Sequence, residues 1–259
     1  MPKSRRSFAP NSFVPSWLSL NRLMPEPAGR KAPASYGALG IPVQMARAAL
    51  GALLLLGGVL SLPAQAPAAD RPVRIVAFGD SLTAGYGLPR DLAFPARLEK
   101  ALAAKGLMAE ISNAGVSGET MSDGLARLDW SVPEGTDAVI LELGANDMLR
   151  GLDPQVTRKA LEDILSRLEQ RHIAVLVCGM LAARNLGEDY ARVFEPMFPE
   201  LAAAHHDLLY PFFLAGVAGD RTLNQRDGLH PNPAGVDAIV AHILPKVEEL
   251  VGEVRQQPN

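Results

Sequence analysis

The stretch Val73-Arg74-Ile75-Val76-Ala77-Phe78-Gly79-Asp80-Ser81 sets the terms of the fold. A short run rich in β-branched and apolar side chains reaches a glycine, which hands the chain on to an aspartate and a serine. A run of this length, closed by a turn residue, fits a strand buried on both faces. The pattern returns downstream. Ile111 lies in a short strand ending near Asn113, Ala138–Leu143 (AVILEL) stops at Gly144, Ile173–Val177 (IAVLV) is a fourth run, and Leu208–Tyr210 supplies a fifth. Between these runs, apolar residues recur at helical spacing. Leu92–Lys105 stops at Gly106, and Thr120–Leu128 reads as a helix. Leu161, Ile164, Leu165 and Leu168 mark another, with Asp153-Pro154 as its cap and first turn. Asp189–Ala204 is predicted helical in spite of Pro196 and Pro199, and Pro233–Val251 closes the chain as a helix. Short apolar strands alternating with helices predict an α/β fold, a parallel sheet covered on both faces. No internal repeat occurs and no linker follows residue 70, so residues 69–259 read as one domain.

Upstream of that domain the sequence changes character. Ala48–Leu62 (AALGALLLLGGVLSL) is uncharged, follows Arg47 and precedes Pro63 and the small residues AQAPAAD. A basic segment, an apolar segment and an A-x-A pattern at Ala66-Pro67-Ala68 are the order of a secretory signal. Residues 45–68 are therefore expected to be a signal peptide cleaved before Ala69, with a periplasmic or secreted product and no stable membrane anchor after cleavage. The alternative, a transmembrane anchor, is disfavoured because fifteen residues at 1.5 Å rise fall short of a ~30 Å hydrocarbon core. Residues 1–44, rich in Pro, Ser and basic residues, read as a disordered extension or an over-extended start. Ser4-Arg5-Arg6-Ser7-Phe8 resembles a twin-arginine motif, yet lies far from the apolar run.

Charge follows the same division. Residues 1–68 carry seven Lys and Arg against one acid, whereas the remainder carries 18 basic and 27 acidic residues. An acidic body argues against a nucleic-acid partner, which requires a basic face. A single cysteine, Cys178, excludes an internal disulfide and a multi-cysteine metal site. At the end of an apolar strand it is expected to be a buried, inert thiol. His205-His206 at a helix end reads as surface rather than as a metal site. The absence of G-x-x-x-x-G-K-[ST] and G-x-G-x-x-G turns disfavours nucleotide binding, and the G-x-S-x-G elbow is absent around Ser81.

In open parallel sheets ligands bind outside the carboxyl ends of the strands. The residues placed there are Gly79-Asp80-Ser81, Asn113 to Gly118 and Gly144-Ala145-Asn146-Asp147, joined by the late loop Asp227-Gly228-Leu229-His230. A serine hydroxyl becomes a nucleophile when a base takes its proton. His230 is the candidate base, and Asp227 its orienting partner. The backbone N–H groups of Ser81 and Gly118 and the side-chain amide of Asn146 are candidate donors to an oxyanion. Asp80 and Asp147 are expected to brace loops rather than to react.

These blocks carry a resemblance. Gly79-Asp80-Ser81-Leu82, Asn113-Ala114-Gly115-Val116-Ser117-Gly118, Gly144-Ala145-Asn146-Asp147 and Asp227-Gly228-Leu229-His230-Pro231-Asn232 resemble, in order, the four motif blocks of the SGNH (GDSL) hydrolases. Within that superfamily the chain is most similar to the secreted bacterial arylesterase, thioesterase I and lysophospholipase L1 group, to which Asn185–Tyr190 adds a loop after the fourth strand. The resemblance implies a single three-layer α/β/α domain with a flavodoxin-like parallel sheet, and neither cofactor nor metal. It implies Ser81 as nucleophile, His230 as base and Asp227 as its partner, with Ser81, Gly118 and Asn146 as the oxyanion hole. It further implies that the loop of Met180, Leu181 and Asn185 borders the acyl pocket. The expected substrate is a small-molecule acyl ester, thioester or lysophospholipid. A carbohydrate O-acetylesterase is the alternative within the same chemistry, and a non-catalytic binding module is disfavoured by the complete set of reactive residues.

Overall fold

The structure, a computed structural model, describes residues 71–256. The signal-peptide and N-terminal expectations for residues 1–68 lie outside the described residues. Five strands form one sheet: β1 (Val73–Gly79), β2 (Ala109–Gly115), β3 (Ala138–Glu142), β4 (Ala174–Cys178) and β5 (Leu208–Tyr210). Their order is β2-β1-β3-β4-β5, and every pairing is parallel. In β1 every residue except Arg74 is buried, and β3 is buried throughout. Both lie inside the sheet, which is why they read as unbroken apolar runs. β2 forms one edge, and its residues are half-buried or exposed, none fully buried. It runs from two residues before Ile111 to four after it, because an edge strand carrying Glu110, Ser112 and Asn113 has no apolar run to display.

Helices cover both faces. α1 (Ser81–Ala84) and α2 (Phe94–Ala104) follow β1, and α3 (Met121–Ser131) follows β2. α4 (Ala145–Leu149) and α5 (Pro154–Gln170) follow β3, α6 (Glu188–Phe194) and α7 (Met197–Ala204) follow β4, and α8 (Pro233–Gln256) follows β5. α2 packs on α8, and α3 packs on α5, as right-handed crossovers to opposite sides of β1 require. The caps are those the sequence offers. Thr120 and Asp123 form a reciprocal capping box on α3, and Asp153 accepts from the Gln155 N–H ahead of Pro154. α8 buries Val236, Ile239, Val240, Ile243, Val247, Leu250 and Val251, one stripe at helical spacing.

Two helical expectations are corrected. Asp189–Ala204 is two helices, not one, and the break falls at Glu195-Pro196. Pro196 has no N–H to continue the ladder and its ring opposes the carbonyl four residues back. Pro199 is tolerated because it sits in the first turn of α7, where N–H groups have no intrahelical partner. The helix expected from Leu92 begins at Phe94, with Pro95 in its first turn, and Leu92 belongs to a separate 3₁₀ turn. The one-turn helices α1 and α4, too short to show any periodicity, were not expected.

The strand order reverses at β1. From it the chain crosses outward to β2 and then back over to β3, so a crevice opens between the carboxyl ends of β1 and β3. Ser81 leaves one of these ends and Asn146 the other.

Candidate active site

Asp80 is the N-cap of α1, its Oδ1 accepting the Leu82 N–H at 3.0 Å, so Ser81 is the first helical residue at the sheet rim. His230 arrives from the loop before α8, which an antiparallel bridge between Asn224 and Pro231 pins in place. His230 Nε2 lies 3.0 Å from Ser81 Oγ, although the two residues are 149 positions apart. His230 Nδ1 lies 2.7 Å from Asp227 Oδ2. Asp227 Oδ1 accepts the backbone N–H groups of Leu229 at 2.9 Å and His230 at 3.0 Å. Those two backbone donors, with the imidazole, hold the Asp227 carboxyl down to about 2. An ionised carboxylate only accepts, so in the neutral ring the proton sits on Nδ1 and Nε2 presents its lone pair to the serine hydroxyl. The arrangement can therefore remove a proton from Ser81.

The backbone donors also meet the chemistry. Among the described residues, neither the Ser81 nor the Gly118 N–H has an acceptor. Gly118 has φ +87°, a conformation that side-chain-bearing residues rarely adopt, so its glycine is a backbone requirement as well as an open approach. Its carbonyl takes a hydrogen bond from Arg150 Nη2 at 2.5 Å. Asn146 is differently placed from the sequence expectation of a waiting third donor. Its Nδ2 donates to Asp80 Oδ2 at 2.9 Å and to the Glu119 carbonyl at 3.0 Å. Both amide hydrogens are engaged, so an oxyanion would have to share one of them.

Behind this rim lies a buried polar layer. Glu142, wholly buried at the end of β3, accepts from Thr83 Oγ1 at 2.7 Å. Burial first, and the neighbouring Asp80 second, raise its carboxyl well above the ordinary range. Burial also lifts Asp80 to about 6, against the hydrogen bonds from Leu82 and Asn146 that favour its anion. Asp147 ties two helices together, accepting from the Met121 N–H at 2.9 Å and from Thr157 Oγ1 at 2.9 Å. Asp80 and Asp147 thus brace loops as expected. Arg127, buried on α3, pairs with Glu119 and donates to the Gly79 carbonyl at 3.0 Å while its guanidinium lies over Phe78. It joins the serine turn to the Gly118 loop. Sequence reading missed Glu142 and Arg127, although each leaves a visible sign. Glu142 interrupts an apolar run, and Arg127 falls on the buried face of α3 beside Gly124 and Leu128.

The expected substrate loop is split. Met180 is buried in the core, whereas Leu181 and Asn185 are exposed. Cys178 is buried, and burial pushes its thiol well above the usual value, as an inert thiol requires. His206 is exposed, and His205 is half-buried with Nδ1 2.9 Å from Glu169 Oε2. Among the described residues no group of three or more His, Cys, Asp or Glu is placed to share a metal ion.

The sequence model of the GDSL-like lipase/acylhydrolase family matches residues 77–238, which hold both the serine turn and the histidine loop. The chain belongs to this family. Known GDSL hydrolases resemble it over most of their own length. It is 34% identical to esterase TesA of Pseudomonas aeruginosa, over 76% of this chain and 98% of that protein. It is 34% identical to thioesterase 1/protease 1/lysophospholipase L1 of Escherichia coli K12, over 72% of this chain and 88% of the other. The crystal structure of AlinE4, an SGNH-hydrolase esterase, superimposes with a TM-score of 0.59 at 43% identity, covering 69% of this chain and 96% of AlinE4. As a GDSL hydrolase the chain has the three-layer α/β/α architecture expected of that group, and its serine stands at the first family block.

Proposed function

We propose that this GDSL hydrolase is an exported serine esterase acting on acyl esters and thioesters, lysophospholipids among them. The observation that carries the reading is the continuous relay from Asp227 through His230 to Ser81, at 2.7 Å and 3.0 Å, beside the unengaged N–H groups of Ser81 and Gly118. In the proposed reaction Ser81 Oγ attacks the acyl carbonyl carbon and its proton passes to His230 Nε2. The carbonyl π pair moves onto oxygen, where the Ser81 and Gly118 N–H groups receive it. As the tetrahedral species collapses, the alcohol or thiol departs with the proton from Nε2 and leaves an acyl-serine. Water, deprotonated by the same nitrogen, then releases the carboxylic acid and restores Ser81. Asp227, anionic throughout, holds the ring and stabilises the imidazolium.

The test is hydrolysis of p-nitrophenyl esters from acetyl to palmitoyl, with Ser81→Ala beside the native chain. Turnover that disappears in the variant is expected. Undiminished turnover by Ser81→Ala would overturn the serine mechanism. A sharp cutoff after acetyl would assign the site to O-acetyl groups, as on carbohydrates, in place of longer acyl chains.

A further inference from the structure

The base carries one contact that the relay does not explain. The Tyr86 ring lies against the His230 imidazole, with centroids 4.5 Å apart and planes tilted by 36°. Tyr86 is 53% exposed, among the most exposed large apolar residues described, so burying its ring is not what places it there. A fastening holds it. Gln225 Nε2 donates to the Tyr86 carbonyl at 2.7 Å and to the Pro231 carbonyl at 3.0 Å, while the Gln225 N–H donates to the His230 carbonyl at 2.7 Å. One glutamine thus binds the turn after the nucleophile to the histidine and to the residue that follows it. The next residue, Gly87, leaves room for this, since a Cβ there would sit 2.5 Å from Gln225 Oε1.

Resting on the esterase reading, we propose that Tyr86 is a positioning residue for the base, strapped by Gln225 so that its π face supports the His230 imidazolium formed in the reaction and keeps Nε2 aimed at Ser81. An aromatic face attracts a cation electrostatically, whereas neutral imidazole gains less from it. The contact is therefore strongest when His230 has taken the serine proton. The other charged or titratable groups around the ring are Asp227 at Nδ1, Ser81 at Nε2, the buried Asp80 beneath Ser81, and Arg226, exposed in the same loop. All four are unchanged by substitution at Tyr86.

The experiment compares Tyr86→Leu, Tyr86→Phe and Gln225→Met with the native chain. It measures kcat/KM against pH on a p-nitrophenyl ester, and the His230 ring proton by NMR titration, assigned among the five histidines with His230→Gln. Tyr86→Leu is expected to lower kcat about 3–10-fold with KM little changed. It should move the acid limb and the NMR midpoint down by about half a pH unit, the size of an exposed cation–π contact. Tyr86→Phe should restore both, because it keeps the face and loses only the hydroxyl. Gln225→Met should move both in the direction of Tyr86→Leu. An unmoved midpoint in Tyr86→Leu, an upward one, or Tyr86→Phe as impaired as Tyr86→Leu would each overturn the inference. The NMR midpoint is read without turnover. An inactive native chain would therefore defeat the esterase reading separately, and a missing shift in an active chain would defeat only the role of Tyr86.

Discussion

At the residue scale, the proposed catalytic set depends on one proton being on the correct nitrogen. Asp227 lies near 2 because two backbone N–H groups and the imidazole all favour its anion. It stays charged at every pH where the enzyme would work. Asp227→Asn keeps the shape and removes the charge. The amide can donate to Nδ1, which turns the ring to the tautomer with its proton on Nε2, where it no longer accepts from Ser81. The expected loss in kcat is roughly 10²–10⁴-fold with KM nearly unchanged. Steady-state kinetics from pH 5 to 9 check this, and a loss confined to the acid side would contradict a carboxylate ionised throughout. That Ser81, Asp227 and His230 come together was legible because this sequence carries the family-like blocks that hold them in order. The engagement of the Asn146 amide by Asp80 and Glu119 was not, since it depends on two side chains from different loops meeting in space.

At the element scale, the strands were legible where burial makes them apolar and illegible where exposure does not. β3 and β4 were found within a residue of their ends, whereas β2 showed only Ile111 of its seven residues. The proline-broken pair α6 and α7 was read as one helix because apolar spacing continues across Pro196 even though the hydrogen-bond ladder cannot. The amino ends of β4 and β5, opposite the catalytic rim, hold a further feature. A cavity of about 270 Å³ there is lined by Glu169, His172, His205, His206, Asp207 and Glu253 among others. Burial, reinforced by Glu169 and Glu253 and opposed by His205, raises the Asp207 carboxyl to about 7. A folded value above the unfolded one of about 3.9 means the fold favours the protonated acid. Its contribution is fully present below about pH 4 and is lost as pH rises towards 7. Asp207→Asn removes a group that is costly only when ionised. It is expected to leave the melting temperature nearly unchanged at pH 4 and to raise it by about 3–6 °C at pH 8, allowing for partial exposure. Thermal melts at the two values decide it, and equal shifts at both would show that Asp207 does not titrate with folding.

At the scale of the whole molecule, the two parts of the chain differ in charge as they differ in pattern. The basic segment before residue 69 and the acidic body after it match an address followed by its cargo, the division on which the proposed export rests. β1 begins at Val73, and just ahead of it Arg71 makes a two-pronged contact with Asp137, at 2.6 and 2.8 Å. A chain beginning at Ala69 would keep this clasp and every strand of the sheet, losing only sequence upstream of both. The full-length chain, expressed in a bacterial host, is therefore expected to yield an exported protein whose N-terminal sequence is Ala69-Asp70-Arg71, with p-nitrophenyl esterase activity in the same fraction. An active protein that begins at Met1 or Met45 and sediments with membranes would make Ala48–Leu62 an anchor. The body would then be a tethered enzyme, and the acyl substrate would have to be available at the membrane face.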